Sequence, residues 1–156
     1  FVKWAMIEAY FTPLQQRSPR QRRLLAESDG LIEEVKGADM LVFGIPIYNL
    51  SVPAVVKAYI DLICRAGETF KYTQSGPEGL LRDRKTYVVI SSGSTSIGSE
   101  YDFASGYIRQ VMDFMGIQDV EIIKAHRLNF GDEGNQESAV EQIHRSIESL
   151  RSHVAV

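Results

Sequence analysis

The feature that most constrains this fold is an alternation of short apolar runs with longer amphipathic segments. Met40–Phe43 and Tyr87–Ile90 are apolar throughout, which is typical of strands covered on both faces. A third run, Val120–Ala125, includes Glu121 and Lys124, and is therefore expected nearer the sheet edge. Strands that alternate with helices pair in parallel through right-handed crossovers. The sequence thus predicts an α/β fold, a doubly wound parallel sheet with helices on both faces.

The helices are predicted from capping signals and from apolar residues at helical spacing. Ser18 is suited to be the N-cap of a helix that Pro19 opens and Gly37 ends. Its inward face is predicted to contain Leu24, Ser28, Leu31, Ile32 and Val35. The helix before Gly116 is predicted to bury Phe103, Tyr107, Val111 and Phe114. The last helix is predicted to bury Ala139, Ile143, Ile147 and Leu150.

Two segments have no single prediction. The residues before Ser18 form a mixed aromatic stretch that fits either a loop or a short helix. Glu68–Arg84 is a polar connection longer than most structureless loops, so it is either a small hairpin or a functional excursion.

Composition excludes several classes of function. The net charge of −3 argues against a generic nucleic-acid partner, and the sequence has no apolar run long enough to span a membrane. The single cysteine, Cys64, excludes an intrachain disulfide and a multi-cysteine zinc site. It is interpreted as a small buried apolar residue, and it favours a reducing, cytoplasmic location. The length of 156 residues is that of one domain.

Ligands of doubly wound sheets bind beyond the carboxyl ends of the strands, which selects Ile45–Ser51 and Ser91–Ser99. In the first segment, Tyr48 and Leu50 supply apolar surface, and Asn49 offers both a donor and an acceptor. This mixture suits a planar heterocycle with polar edges. Ordinary packing at the end of a strand explains the same residues equally well.

The second segment is rich in small residues, which allow backbone N–H groups to approach a flat or anionic ligand. A plain tight turn is the alternative. Gly93 and Gly98 have the spacing of a phosphate-binding P-loop, but Ser99-Glu100 stands where lysine and a hydroxyl residue are required. A glutamate there would repel a triphosphate, so we exclude a nucleotide triphosphatase. His126, at the end of the third predicted strand, is a further candidate to line this edge.

Four motifs in this order resemble the FMN-dependent NADH-azoreductases, a family of flavodoxin-like quinone reductases. They are Pro46-Ile47-Tyr48-Asn49, Arg65-Ala66-Gly67, Thr69-Phe70-Lys71-Tyr72 and Gly76-Pro77-Glu78-Gly79-Leu80. The resemblance runs roughly from Pro19 to the C-terminus, and the Phe-x-Tyr-Thr-x-x-Gly-Pro-Glu-Gly stretch is its most specific part. It implies a flavodoxin-like fold, FMN as cofactor, and NADH or NADPH as electron donor. It also implies two-electron reduction of quinones or azo compounds and a homodimer. The spacing of the histidines matches no metal motif, so no metal is expected.

The resemblance further implies which residues form the site. The cofactor-binding residues would be Pro46, Ile47, Tyr48, Asn49, Leu50, Ser91, Ser92, Gly93 and Ser94. Asn49 would fix the orientation of the flavin ring, and backbone N–H groups of the second loop would stabilise negative charge on the reduced flavin. Tyr72 would stack on the substrate or donate a hydrogen bond to it, with Phe70 as its support. Phe114 would approach the substrate from the neighbouring subunit. Asn49 and Tyr72 are therefore the catalytic candidates.

Two loops depart from the family pattern. Ile47 and Leu50 replace the outer pair of Met-Tyr-Asn-Phe, and Ser92 and Ser94 replace the arginine and second glycine of Ser-Arg-Gly-Gly. The missing arginine removes a positive charge that would favour anionic reduced flavin or a negatively charged substrate.

The family pattern begins with a strand, a serine-rich phosphate-binding loop, a helix and a second strand, and none of these is visible before Ser18. We therefore expect residues 1–156 to be a single flavodoxin-like domain that is incomplete at its N-terminus, with three C-terminal strands of five. Two other functions fit this scaffold: a flavodoxin-type FMN electron carrier and a cofactor-free interaction domain. The Gly76–Leu80 motif favours the reductase over the carrier.

Overall fold

A computed structural model describes residues 2–130 and 133–154, in which strands and helices alternate along the chain. The helices are α1 (Trp4–Tyr10), α2 (Pro19–Gly37), α3 (Ala54–Ile63), α4 (Ser105–Met115) and α5 (Glu133–Val154). The strands are β1 (Leu41–Pro46), β2 (Phe70–Thr73), β3 (Gly76–Gly79), β4 (Thr86–Ser91) and β5 (Val120–Ala125). The aromatic stretch before Ser18 thus contains a short helix, α1.

Three of the strands form a parallel sheet in the order β1-β4-β5. β4 and β5 pair over their whole length. Next to β1, the Leu41 N–H donates to the Lys85 carbonyl at 3.1 Å, and further along the Ile47 N–H donates to the Ser91 carbonyl at 2.7 Å. The offset between partners is the same at both points, so β1 and β4 run in the same direction. β5 lies at an edge, as predicted from its charged residues.

The chain divides into two compact units. The first contains the chain up to Leu41, Ala54–Lys85 and Arg109–Asp119. The second contains Val42–Pro53, Thr86–Ile108 and the chain from Val120 onward. The first unit therefore holds α1, α2, α3, the hairpin of β2 and β3, and the end of α4. The second holds nearly all of the parallel sheet and α5.

α2 begins at a capping box, which confirms the predicted N-cap. The Ser18 hydroxyl accepts a hydrogen bond from the Gln21 N–H at 3.3 Å, and the Gln21 side chain accepts one from the Ser18 N–H at 2.9 Å. The buried face of this helix consists of Leu25, Ser28, Ile32 and Val35. Leu24 and Leu31, also predicted on the inward face, are partly buried and pack against the core cluster that contains Leu25.

The apolar face predicted for α4 was wrong by one residue. Phe103 precedes the helix and is 59% exposed, and the buried stripe is Ala104, Ile108, Met112 and Met115. In α5, Ala139 is buried as predicted, but Ile147 is exposed and Ser146 is buried instead, with its hydroxyl donating to the Glu121 carboxylate of β5. None of the helices in the described part of the chain has the length and apolar character needed to cross a membrane.

A buried arginine ties together the helices of the first unit. Arg65, which is 2% exposed, donates to the Ser28 hydroxyl of α2 at 2.8 Å. Its guanidinium carbon lies 4.8 Å from the centroid of the Tyr10 ring, a cation–π contact with the end of α1. Arg65, the first residue of the Arg65-Ala66-Gly67 motif, therefore has a structural role in this unit.

Glu68–Arg84 contains a hairpin, the first of the two alternatives for this segment. β2 and β3 pair antiparallel over their whole lengths. The Leu81 N–H donates to the Met115 carbonyl at 2.9 Å. A Cβ atom on Gly79 would lie only 2.2 Å from the backbone nitrogen of Gly116. The hairpin thus packs backbone to backbone on the end of α4, where only glycine fits.

Candidate functional site

The turn after β1 and the loop after β4 lie at the same edge of the parallel sheet. Because β1 and β4 are parallel neighbours, their carboxyl ends are adjacent. Tyr48–Ser51 and Ser92–Ser99 extend beyond those ends, and both belong to the second unit. This is the edge at which doubly wound sheets bind their ligands.

The turn after β1 has a strained backbone. Tyr48 and Ser51 exchange two backbone hydrogen bonds, of 2.9 and 3.1 Å, around Asn49 and Leu50. The φ angles of these central residues are +49° and +73°, the signature of a type I′ turn. Asparagine tolerates this conformation, but for a residue such as leucine the left-handed region costs roughly 1–2 kcal/mol. Such strain clusters at ligand-binding sites, so it marks this turn as a candidate.

The turn also presents unused binding groups. Tyr48 is 62% exposed and Leu50 is 44% exposed, so both offer apolar surface. The Asn49 carboxamide is exposed, and no hydrogen bond found within residues 2–130 and 133–154 involves it. A ligand at this edge would therefore meet two apolar side chains and one available amide.

The loop after β4 is closed on itself by hydrogen bonds and packing. Ser92 is buried, and its hydroxyl donates to the carbonyl of Thr95. A Cβ atom on Gly93 would lie 2.3 Å from the side-chain nitrogen of Asn129, so a side chain at this position would displace the Asn129 carboxamide. Ser94, by contrast, is exposed, and its N–H and hydroxyl have no hydrogen-bond partner among the described residues. The loop is thus shaped from within, and Ser94 is left available to a ligand.

Asp102 organises the segment between this loop and α4. Its carboxylate accepts hydrogen bonds, at 2.8 to 2.9 Å, from the backbone N–H groups of Gly98, Ala104 and Ser105. Partial burial alone would raise the pKa of Asp102, but these bonds and one from the Ser105 hydroxyl outweigh burial and lower the pKa. The next residue joins this segment to the turn, because the Phe103 N–H donates to the Leu50 carbonyl at 3.0 Å.

The turn, the loop and the Asp102 segment enclose a recess of about 340 Å³. Its lining residues are Leu50, Ser94, Thr95, Ser96, Ser99 and Tyr101. Every one of them except Leu50 carries a hydroxyl group, and none carries a formal charge. The recess can therefore hydrogen-bond a polar edge of a ligand and cover an apolar face, which is the usual chemistry of a small-molecule site.

The three aromatic residues assigned to the substrate come together in the first unit. Tyr72 is 74% exposed, and its ring meets Phe70 edge-to-face at 5.4 Å between centroids. Phe70 is buried, and it lies 4.4 Å from the Phe114 ring of the same chain. Of this trio, Tyr72 offers its ring outward and Phe70 supports it from below.

Sequence reasoning missed Tyr101 and Asp102, which lie beyond the Ser91–Ser99 segment selected from the sequence. A signal was present, since aspartate three residues before the helical Ser105 is a common start signal of helices. His126 does not line the recess; its Nδ1 atom accepts a hydrogen bond from the Ile97 N–H at 3.0 Å. Within the described residues, no group of three or more His, Cys, Asp or Glu side chains could hold a metal ion.

Known proteins with a similar sequence or structure agree with this architecture. A family described as having a flavodoxin-like fold matches residues 2–150. FMN-dependent NADH:quinone oxidoreductase 1 of Hahella chejuensis (strain KCTC 2396) is 51% identical over 143 residues, which are 92% of this chain and 70% of that protein. The protein of the same name from Jannaschia sp. (strain CCS1) is 48% identical over 139 residues, 89% of this chain and 73% of that protein.

Comparison with solved structures gives the same family. The crystal structure of an azoreductase from Bacillus anthracis (strain Sterne) superposes with a TM-score of 0.81 at 28% identity, covering 96% of this chain and 74% of that chain. This chain belongs to the family with the flavodoxin-like fold. The predicted fold class and the resemblance drawn from the motifs are both confirmed.

Proposed function

We propose that this chain is an FMN-dependent oxidoreductase that transfers two electrons from NADH or NADPH to quinones or azo compounds. The names of the relatives from Hahella and Jannaschia and of the Bacillus azoreductase support this assignment. The structural observation that carries it is the strained Asn49-Leu50 turn beside a hydroxyl-lined recess at the carboxyl edge of the sheet. Strain, exposure and available polar groups coincide at this one place.

The residues at this edge fit the isoalloxazine ring of FMN. That ring has flat apolar faces and a polar edge that both donates and accepts hydrogen bonds. Tyr48 and Leu50 supply apolar surface, while Asn49 and Ser94 supply free polar groups. The uncharged lining of the recess suits a neutral heterocycle. The ring-binding residues are proposed to be Pro46, Ile47, Tyr48, Asn49, Leu50, Ser91, Ser92, Gly93 and Ser94.

When bound, FMN supplies a centre that accepts hydride from the nicotinamide and passes two electrons to the acceptor. The Asn49 carboxamide orients the ring by hydrogen bonding its polar edge. The Ser92 N–H already donates to the Ala125 carbonyl, so the remaining backbone N–H groups of the Ser91–Ser94 loop, above all that of Ser94, would stabilise negative charge at that edge. They act without reorganisation, because the Ser92 hydroxyl and the packing of Asn129 on Gly93 already fix the loop.

Tyr72 is proposed to contact the acceptor through its exposed ring, with Phe70 as its support. Phe114 packs on Phe70 of its own chain and is proposed to reach the substrate of the neighbouring subunit. We further propose a homodimer, which the family resemblance supports. A cytoplasmic location is proposed from the single cysteine.

The test is flavin binding followed by turnover. The purified chain is mixed with FMN and separated from free flavin, and its absorbance is recorded. NADH and menadione are then added, and NADH consumption is followed. We expect bound flavin and quinone-dependent oxidation of NADH. Flavin that binds without consumption of NADH would indicate an electron carrier, and failure to bind FMN would overturn the proposal.

The role of Tyr72 is tested separately with a matched pair of variants. Tyr72→Phe keeps the ring and removes the hydroxyl, whereas Tyr72→Ala removes both. If the ring stacks on the acceptor, only Tyr72→Ala raises the KM for menadione, by roughly tenfold for about 1.4 kcal/mol of lost contact. Unaltered kinetics in both variants would remove Tyr72 from the site.

A further inference from the structure

We propose that His126 is a positioning residue for the recess, acting as a fixed hydrogen-bond acceptor that holds the Ser92–Ser99 loop in its cofactor-binding shape. The inference rests on the proposed function and assigns a role at the same site to a residue that does not line it.

The contact is specific in its atoms and its place. The Ile97 N–H donates to His126 Nδ1 at 3.0 Å, and Ile97 itself is 5% exposed. Ile97 lies between lining residues of the recess, with Ser96 directly before it and Ser99 two positions after it. A buried N–H group that loses its acceptor carries the full penalty of desolvation, so the loop would rearrange to expose it. Such a rearrangement would move the hydroxyl groups of the recess.

His126 belongs to Ala125–Asn129, a segment at the end of β5 that holds the Ser92–Ser99 loop through several hydrogen bonds. We call this segment the brace. The Ser92 N–H donates to the Ala125 carbonyl at 3.0 Å, and the Leu128 N–H donates to the Ser92 carbonyl at 3.1 Å. The Asn129 N–H donates to the Gly93 carbonyl, also at 3.1 Å. These bonds fix the near end of the loop. The His126 side chain extends the brace to its far end, at Ile97.

The backbone of the brace is itself strained. Arg127, which follows His126 directly, has a φ of +57°, a conformation that non-glycine residues rarely adopt. The kink lies between His126, whose side chain bonds the far end of the loop, and Leu128, whose backbone bonds the near end. Strain of this kind persists only where the surrounding contacts determine it, which is the behaviour expected of a positioning device.

Chemistry supplies a matched pair of variants. To accept at Nδ1, the imidazole must be neutral with its proton on Nε2. Asparagine places an oxygen on Cγ where histidine has Nδ1, so His126→Asn keeps the acceptor. His126→Leu has the same branching at Cγ but no acceptor. His144, exposed on α5, provides a control as His144→Leu.

Two measurements are made on each variant. Hydrogen exchange of the Ile97 amide, followed by NMR without FMN, reports the bond itself. The Kd for FMN, from quenching of flavin fluorescence, reports the shape of the recess. We expect His126→Leu to accelerate exchange of Ile97 at least tenfold and to raise the Kd roughly tenfold. His126→Asn and His144→Leu should stay within about twofold of the unmodified chain on both measurements.

The outcomes separate this inference from the proposed function. FMN binding that is indifferent to His126→Leu overturns the inference alone, as does an asparagine variant that is as impaired as the leucine variant. Failure of the unmodified chain to bind FMN overturns the proposed function, and the inference with it. If His126→Leu does not fold by circular dichroism, His126→Gln replaces it, because its oxygen is one bond further from the main chain and misses Ile97.

Discussion

The hairpin of the first unit and the turn of the second unit present candidate site residues by opposite means. In the hairpin, the outward residue and the supporting residue are different: Tyr72 is exposed, and the buried Phe70 holds it in place. In the turn, a single residue both faces the ligand site and supports the local structure. Leu50 carries backbone strain, accepts the hydrogen bond from Phe103 and also lines the recess.

This difference determines how each region responds to mutation. Where presentation and support are separated, stability and function can be changed independently. Where they coincide, a substitution changes both, and strain relief opposes ligand binding. The three predictions that follow test this contrast.

The largest effect is expected at the hairpin, from Phe70→Ala. Removing a buried phenylalanine costs about 3–5 kcal/mol of unfolding free energy through lost burial and the cavity that remains. Tyr72→Ala removes a ring that is 74% exposed and should cost no more than about 0.5 kcal/mol. Urea unfolding of both variants measures the two values. Similar losses in the two variants would show that support and presentation are not separated here.

Much of the fold was predictable because its signals are local. Ser18 and Pro19 define a helix start on their own, and the capping box confirms it. Which face of α4 is buried could not be predicted from such local signals. Phe103 and Tyr107 have the same helical spacing as Ala104 and Ile108, and both stripes are apolar. Tertiary packing selects the second stripe, and no residue-by-residue preference contains that information.

The site was predictable to a similar extent. The rule that ligands bind at strand ends selects Asn49 and Ser94, and the structure leaves both with unused polar groups. The positive φ of Leu50 could not be predicted, because leucine does not favour that region. The role of Asp102 depends on the hydrogen bond that its carboxylate accepts from the Gly98 N–H, and the sequence does not indicate that the loop brings these two residues together.

The second prediction concerns the hydrogen bonds that support the turn and loop. Asp102→Ala removes the acceptor of three backbone N–H groups and should cost about 1–2 kcal/mol at neutral pH, as the loss of a strong helix cap does. Asp102→Asn keeps an oxygen acceptor without the charge and should cost less. Thermal unfolding across pH 7 to pH 3 measures both variants.

The pH dependence has a definite sign. Hydrogen bonds hold the pKa of Asp102 below its ordinary value of 3.8 in the folded chain, so the ionised form stabilises the fold. That contribution is complete above the ordinary pKa and is lost as the pH falls through the lower folded value. The stability difference between the unmodified chain and Asp102→Asn should therefore shrink toward pH 3. A difference that stays constant over this range would mean that the carboxylate charge is irrelevant to the loop.

The smallest effect is expected at the turn, and its sign is opposite. Leu50→Gly creates the Asn-Gly sequence that type I′ turns favour. It relieves roughly 1–2 kcal/mol of left-handed strain and loses roughly 0.5–1 kcal/mol to the greater freedom of glycine in the unfolded chain. The net gain in unfolding free energy should be about 0.5–1 kcal/mol, measured by urea unfolding.

The same substitution removes the one apolar side chain that lines the recess, so FMN should bind more weakly although the protein is more stable. Leu50→Ala is the control, since it removes the same surface but keeps a Cβ atom in the strained conformation. It should weaken FMN binding without the gain in stability. If Leu50→Gly were more stable and bound FMN as before, the Leu50 side chain would not contribute to FMN binding. Stability and binding could then be changed independently at the turn, as at the hairpin. If FMN binding weakens in both variants and stability rises only in Leu50→Gly, the Leu50 side chain contributes to FMN binding at a cost in stability.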